Sequence, residues 1–146
     1  MKRLPTKYVA GLFDGEGCIN IQFGKNTICP RVIINLVEPS SFVLEMVKNT
    51  FKGNIYHKEQ TNDKWQGIAR YEINGFSKVC CFLREIKNYL FIKRQQAEFI
   101  LALERLVKGK PQDQEVLSVI KEELKLMKSD PHRLSDKAVE RILQML

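Results

Sequence analysis

The chain has 146 residues, 44% of them hydrophobic and 28% charged, with 24 Lys and Arg against 17 Asp and Glu for a net charge of +7. That length suits one domain with its own core, and the balance of apolar and charged residues excludes an intrinsically disordered chain. Cys18, Cys29, Cys80 and Cys81 form no C-x-x-C pair and His57 and His132 stand far apart, so a zinc site is not expected.

Neither a secretory signal nor a membrane span is visible, which predicts an intracellular protein with reduced thiols and no membrane attachment. Charge is uneven along the chain. Residues 1–111 carry 18 Lys and Arg against 10 Asp and Glu, whereas residues 112–146 carry 6 against 7. This polarity predicts a polyanion-binding core domain, 1–111, with a helical extension, 112–146, packed on it.

Pro5 and Thr6 open the first helix, since proline is favoured at a helix start and threonine can cap one. Its body is Val9-Ala10-Gly11-Leu12-Phe13-Asp14-Gly15-Glu16-Gly17. Gly11 and Gly15 are four positions apart and so share a face, on which two backbones can approach closely. Asp14 and Glu16 then alternate with Gly15 and Gly17, residues that let a chain leave a helix with positive φ. Carboxylates at a helix C-terminus are repelled by the macrodipole, so the arrangement invites a cation, and hard oxygen ligands suit Mg²⁺. A calcium loop starting at Asp14 is excluded, because Ile19 stands where glycine is needed and Lys25 where an acid should close the loop. A core helix with an ordinary glycine stop is the plainer alternative, against which two glycine-flanked acids weigh.

Next the pattern changes period. Cys18 to Phe23 alternates, with Ile19, Ile21 and Phe23 on one face; Gly24-Lys25-Asn26 turns the chain; Arg31 to Leu36 alternates again, with Val32, Ile34 and Leu36 inward and Arg31, Ile33 and Asn35 outward. Pro39-Ser40-Ser41 opens a second helix that Gly53 stops. A second hairpin pairs residues 54–58 with 66–73 across the polar stretch 60–64. Helices follow over residues 78–86 and 93–107, where adjacent Cys80 and Cys81 read as small core residues. Beyond Pro111 two amphipathic helices carry Val116, Leu117, Ile120, Leu124 and Met127, then Val139, Ile142, Leu143 and Leu146, with Ser135 capping the second.

The elements spell αββαββα, an α+β fold with a four-stranded antiparallel sheet, helices on one face and C-terminal helices added. Its exposed sheet face carries Asn20, Gln22, Arg31, Asn35, Tyr56, Lys58, Gln66, Arg70 and Glu72, with Ile33 among them and Lys25 at the hairpin turn. Amides and guanidinium groups can read base edges in a major groove while lysines meet phosphates; a solvated face is the plainer alternative.

The segment from Val9 to Gly17 resembles the signature of the LAGLIDADG homing endonucleases, with Val9, Phe13, Gly15 and Glu16 as departures, and the element order over residues 5–107 is similar to that family's fold. The resemblance implies a saddle-shaped sheet straddling double-stranded DNA. It also implies signature helices packed side by side through Ala10, Gly11, Asp14 and Gly15. Glu16, with the Gly15 carbonyl, would bind Mg²⁺ or Mn²⁺ at the scissile phosphate. Lys93 matches the family's active-site lysine, and Glu38 the place of a polar residue that orders water. One signature per chain implies a homodimer reading a palindromic or near-palindromic site and leaving short 3′ overhangs, with spread of an intron or intein as the outcome. Two alternatives are an RNA-splicing maturase with intron RNA as partner and a non-cleaving DNA-binding regulator; retention of both acids weighs against the regulator.

Overall fold

The computed structural model of the chain describes residues 3–58 and 67–146. In chain order these form α1 (Thr6–Glu16), β1 (Gly17–Phe23), β2 (Ile28–Val37), a 3-10 turn (Glu38–Ser40), α2 (Phe42–Phe51), β3 (Asn54–Lys58), β4 (Ile68–Asn74), α3 (Phe76–Ile86), α4 (Arg94–Val107), α5 (Gln114–Ser129) and α6 (Ser135–Leu143). The αββαββα order and the two added helices are as expected from sequence. The polar stretch 60–64 and Gln66 lie outside the described residues.

The four strands make one antiparallel sheet in the order β1-β2-β4-β3, so the two hairpins meet through β2 and β4 and leave β1 and β3 at the edges. Alternation along each strand separates the two faces. Ile19, Ile21, Val32, Ile34, Tyr71 and Ile73 are buried on one, beneath Val9 and Phe13 of α1, Leu44 and Val47 of α2, Val79, Phe82, Leu83 and Ile86 of α3, and Phe99, Ile100 and Leu103 of α4. Phe82 is the hub of that layer, meeting Phe13 and Phe51 edge-on at centroid distances of 5.4 and 5.0 Å. Edge-to-face packing of this kind adds to the area term and fixes how α1 lies over the sheet. Val116, Ile120, Met127, Ala138 and Ile142 of α5 and α6 join the same buried cluster.

Local details depart from the sequence expectation for identifiable reasons. The N-cap of α1 is Pro5, whose fixed φ of −57° suits a helix start, and Thr6 is inside the helix and caps nothing. Gly17 ends α1 with φ −87° and not with positive φ; glycine is needed because a Cβ there would stand 2.2 Å from the Phe13 ring. Positive φ occurs instead at Lys52 and Gly53, 63° and 105°, where α2 turns into β3 and the Tyr71 hydroxyl donates to the Lys52 carbonyl. Cys80 is a core residue, its thiol pushed up to about 12 by burial and by the neighbouring Glu104, but Cys81, one residue round the helix, is exposed.

Candidate active site and nucleic-acid interface

The site grows from the end of α1, where helix phase divides the signature residues. Val9, Ala10 and Phe13 are fully buried against the core, whereas Tyr8, Gly11, Gly15 and Glu16 are exposed. Ala10 is thus turned inward, away from the face of Gly11 and Gly15 with which the family resemblance grouped it. A Cβ added at Gly11 or Gly15 would meet nothing within 4 Å. Nothing among the described residues calls for glycine at either position, although mid-helix glycine costs about 0.5–1 kcal/mol relative to alanine.

The two acids have separate surroundings. Asp14 accepts the backbone N–H groups of Phe91 at 2.7 Å and Ile92 at 3.0 Å through Oδ2, and that of Lys93 at 2.9 Å through Oδ1. Its carboxylate therefore gathers the backbone of residues 91–93, the segment that leads into α4. The Lys93 ammonium in turn donates to the Asp14 carbonyl oxygen at 2.6 Å. That carbonyl is one of the last four of α1, which lack partners within the helix, so Lys93 supplies the cation that the negative end of the macrodipole invites. Glu16 has no hydrogen-bond or ionic partner among the described residues. It lines a shallow depression of about 380 Å³ together with Asn35, Leu36, Val37, Ser40 and Ile68.

Glu38 follows β2 without lining that depression. Its Oε1 is 2.8 Å from Nδ1 of His57, a partner the sequence alone did not suggest, and its backbone N–H is tied to the Gly67 carbonyl at 2.8 Å. Strand alternation sets His57 on the face of β3 opposite Tyr56 and Lys58, so the Glu38 carboxylate is directed away from the polar sheet face.

On that polar face the register lines residues up in rows across the strands: Asn20, Arg31 and Asn74; Cys18, Ile33, Glu72 and Asn54; Asn35, Arg70 and Tyr56. Gln22 continues along β1, Lys58 along β3, and Lys25 is exposed at the hairpin turn. The centre of the face is a depression of about 560 Å³ lined by Arg31, Asn35, Tyr56, Lys58, Ile68, Arg70 and Glu72. Not every member offers a free group. Ile33 is 6% exposed and forms floor; Glu72, 9% exposed, pairs with Arg31 at 3.3 Å and accepts from Asn74 Nδ2 at 3.3 Å. Asn35 Oδ1 accepts from Arg70 Nε at 3.2 Å, and Arg31 Nε is buried without a partner. Asn54 and Asn74 share this face and were missed from sequence; Asn54 is in step with Tyr56 and Lys58 inside the predicted strand 54–58, and Asn74 is one residue past the predicted end of 66–73.

The donor set at the end of α1 fits a hard divalent ion in kind but not in number. Glu16 and the Gly15 carbonyl are free oxygen donors, but among the described residues no group of three or more His, Cys, Asp or Glu side chains could hold an ion. Six-coordinate Mg²⁺ would need water, a phosphate or a second chain to complete it. No helix among the described residues is long and apolar enough to cross a membrane.

Comparison with known proteins agrees with this layout. The chain has the fold of the homing endonuclease I-CvuI, solved in complex with the I-CreI target, with TM-score 0.69 and 20% identity over 96% of this chain and 92% of that one. Similar fits are found to the homing endonuclease I-TnaI, with TM-score 0.64 and 22% identity over 97% and 99% of the two chains, and to an archaeal intron-encoded homing endonuclease, I-Vdi141I, complexed with DNA, with TM-score 0.60 and 17% identity over 95% and 94%. No curated protein sequence matches the chain. Residues 9–106 match the family model described as LAGLIDADG endonuclease. The chain therefore belongs to the LAGLIDADG endonuclease family.

Proposed function

We propose that this chain is a homodimeric endonuclease that hydrolyses both strands of a long palindromic or near-palindromic DNA duplex, using Mg²⁺ or Mn²⁺ and leaving short 3′ overhangs. Mobility of a host intron or intein would follow from such a cut. The observation that carries the reading is the end of α1, where Glu16, unpartnered among the described residues, sits beside a glycine face that none of those residues covers. A second copy packed on Gly11 and Gly15 would bring two Glu16 side chains together, one for each DNA strand. Phe91 and Ile92, 88% and 52% exposed and tied to α1 through Asp14, offer apolar surface next to the same face.

In this reading the polar sheet face enters the major groove. Asn35, Arg70 and Tyr56 face base edges, and Arg31, braced by Glu72, presents its remaining donors to the same groove. Glu16 and the Gly15 carbonyl hold the divalent ion, which when bound supplies charge stabilisation to the attacking and leaving oxygens. Lys93, anchored to the Asp14 carbonyl, keeps a positive charge beside the phosphate, and Asp14 keeps Lys93 in place.

The test is incubation of the protein with a randomised duplex library, with Mg²⁺ and with chelator, followed by sequencing of the cut ends. Symmetric sites cut only with the metal, with 3′ overhangs, support the reading. Binding without cleavage under every metal condition contradicts it, and preferential binding of structured RNA would favour splicing assistance instead.

A further inference from the structure

We infer that α5 is a second DNA-contacting element: Lys121, Lys125 and Lys128 form a row along the free edge of β1 that meets the phosphates of one DNA strand beside the groove occupied by the sheet. The inference rests on the duplex-binding reading above and extends it to a segment whose residues 112–146 have, by count, no basic excess.

Position comes first. The start of α5 is tied to the β1–β2 turn, where the Gln112 N–H donates to the Asn26 carbonyl at 2.7 Å and the Gln114 side chain donates to the Lys25 carbonyl. Farther along, the Lys121 ammonium stands 6.0 Å from the centre of the Phe23 ring, and Lys128 Nζ reaches Cys18 Sγ at 3.7 Å. Phe23 ends β1 and Cys18 lies near its start, so the helix follows the edge strand from tip to base. Cys18 belongs to the polar face through its row with Ile33 and Glu72, whereas Phe23 is in step with Ile19 and Ile21 on the helix side, so the lysine row crosses the edge of β1 and reaches the polar face at its Lys128 end.

Charge is sorted on the helix as the sequence total conceals. Positions 121, 125 and 128 follow the i, i+4, i+7 spacing of one helix face, and all three lysines are exposed. None of them has a carboxylate partner among the described residues. The neighbouring acids point elsewhere: Glu123 is fully buried and clasped by Arg133 and Arg141, and Glu122 pairs with Arg141 at 3.1 Å. A lysine face whose acids are already neutralised by arginines on the far side is a net positive strip. From Lys121 to Lys128 it extends about 10 Å at the helical rise per residue, and with the reach of the lysine side chains it covers about two to three neighbouring phosphates on one strand of a duplex.

The test is the salt dependence of binding of the full chain to a fluorescein-labelled mixed-sequence duplex, read by anisotropy between about 50 and 200 mM salt. Substituting Lys121→Gln, Lys125→Gln and Lys128→Gln together is expected to reduce the slope of log affinity against log salt by about 2 to 3 per bound chain, since each lost phosphate contact removes about 0.9. Arginine at the same three positions should keep the slope. So should a control that removes equal charge on the helical side, Lys48→Gln, Lys78→Gln and Lys108→Gln. An unchanged slope in the α5 glutamine variant, or an equal fall in the control, overturns the inference while leaving duplex binding intact. Absence of any duplex binding by the unmodified chain overturns the duplex reading and this inference with it.

Discussion

The Lys93 ammonium lies 2.6 Å from the Asp14 carbonyl oxygen, while the Asp14 carboxylate accepts the Lys93 backbone N–H at 2.9 Å. This two-way link joins the negative end of α1 to the segment leading into α4: the last turn of α1 gains a cation, and three backbone donors before α4 gain an acceptor. It also separates the two acids of the signature by role. Asp14 holds the structure together, and Glu16 is left free for an outside ligand.

Removal of the Asp14 carboxylate should therefore be felt in folding. Asp14→Ala is expected to lower stability by about 2–3 kcal/mol, because three backbone donors lose a charged acceptor at a partly exposed site. Urea unfolding measures it, and a change below about 0.5 kcal/mol, within the range of ordinary surface substitutions, would contradict the role of Asp14 in holding residues 91–93.

Lys93→Met should act mainly on chemistry. The three hydrogen bonds to Asp14 come from backbone groups and persist, so the loss in stability should stay near 1 kcal/mol, while single-turnover cleavage falls by about 100-fold or more. A variant that unfolds, or that cuts at the unmodified rate, would remove Lys93 from the proposed site.

Gly11 and Gly17 should respond oppositely to added bulk. Gly11→Leu places its side chain where the chain leaves open space, so a folded protein that sediments as a monomer is expected. Phe91→Glu should push assembly in the same direction. Gly17→Ala collides with the Phe13 ring at 2.2 Å from the new Cβ, and should destabilise the fold by about 1–3 kcal/mol as an overpacked core does. Analytical ultracentrifugation and thermal unfolding separate the two effects.

Glu123 provides a pH-dependent prediction. Burial would raise its carboxyl, but hydrogen bonds from Arg133 and Arg141 outweigh that and hold it below the ordinary glutamate value. A depressed folded value means stability that is fully present above the unfolded-chain pKa and lost as pH falls through the folded one. Glu123→Gln should thus lower stability by about 2–3 kcal/mol at neutral pH, discounted for the partial exposure of both arginines. The gap should narrow below about pH 4. A gap independent of pH would contradict the ion-pair origin.

The sheet was legible in the sequence because β1, β2 and β4 alternate cleanly and each helix carries a one-sided apolar pattern. Helix phase was less legible. Ala10 and Gly11 are adjacent in sequence, and only packing decides that one enters the core while the other faces outward. The contact from Asp14 to residues 91–93 spans 77 to 79 positions, and no local pattern announces such a pairing. Ile33 and Glu72 obey the alternation yet are nearly buried, Glu72 because Arg31 and Asn74 engage its carboxylate. The lysine row on α5 was hidden by arithmetic: a net charge cannot show that the compensating acids are spent on the opposite side of the same helix.

The central claim is that two chains meet on the glycine face and bring one Glu16 to each DNA strand. Its most direct measurement uses two differently tagged copies, one carrying Glu16→Gln, co-expressed and purified as the mixed dimer, then given Mg²⁺ and a supercoiled plasmid bearing a site recovered from the library. The account predicts nicked circles and no linear product. Linear plasmid at the unmodified rate, from a dimer holding a single Glu16, would contradict it.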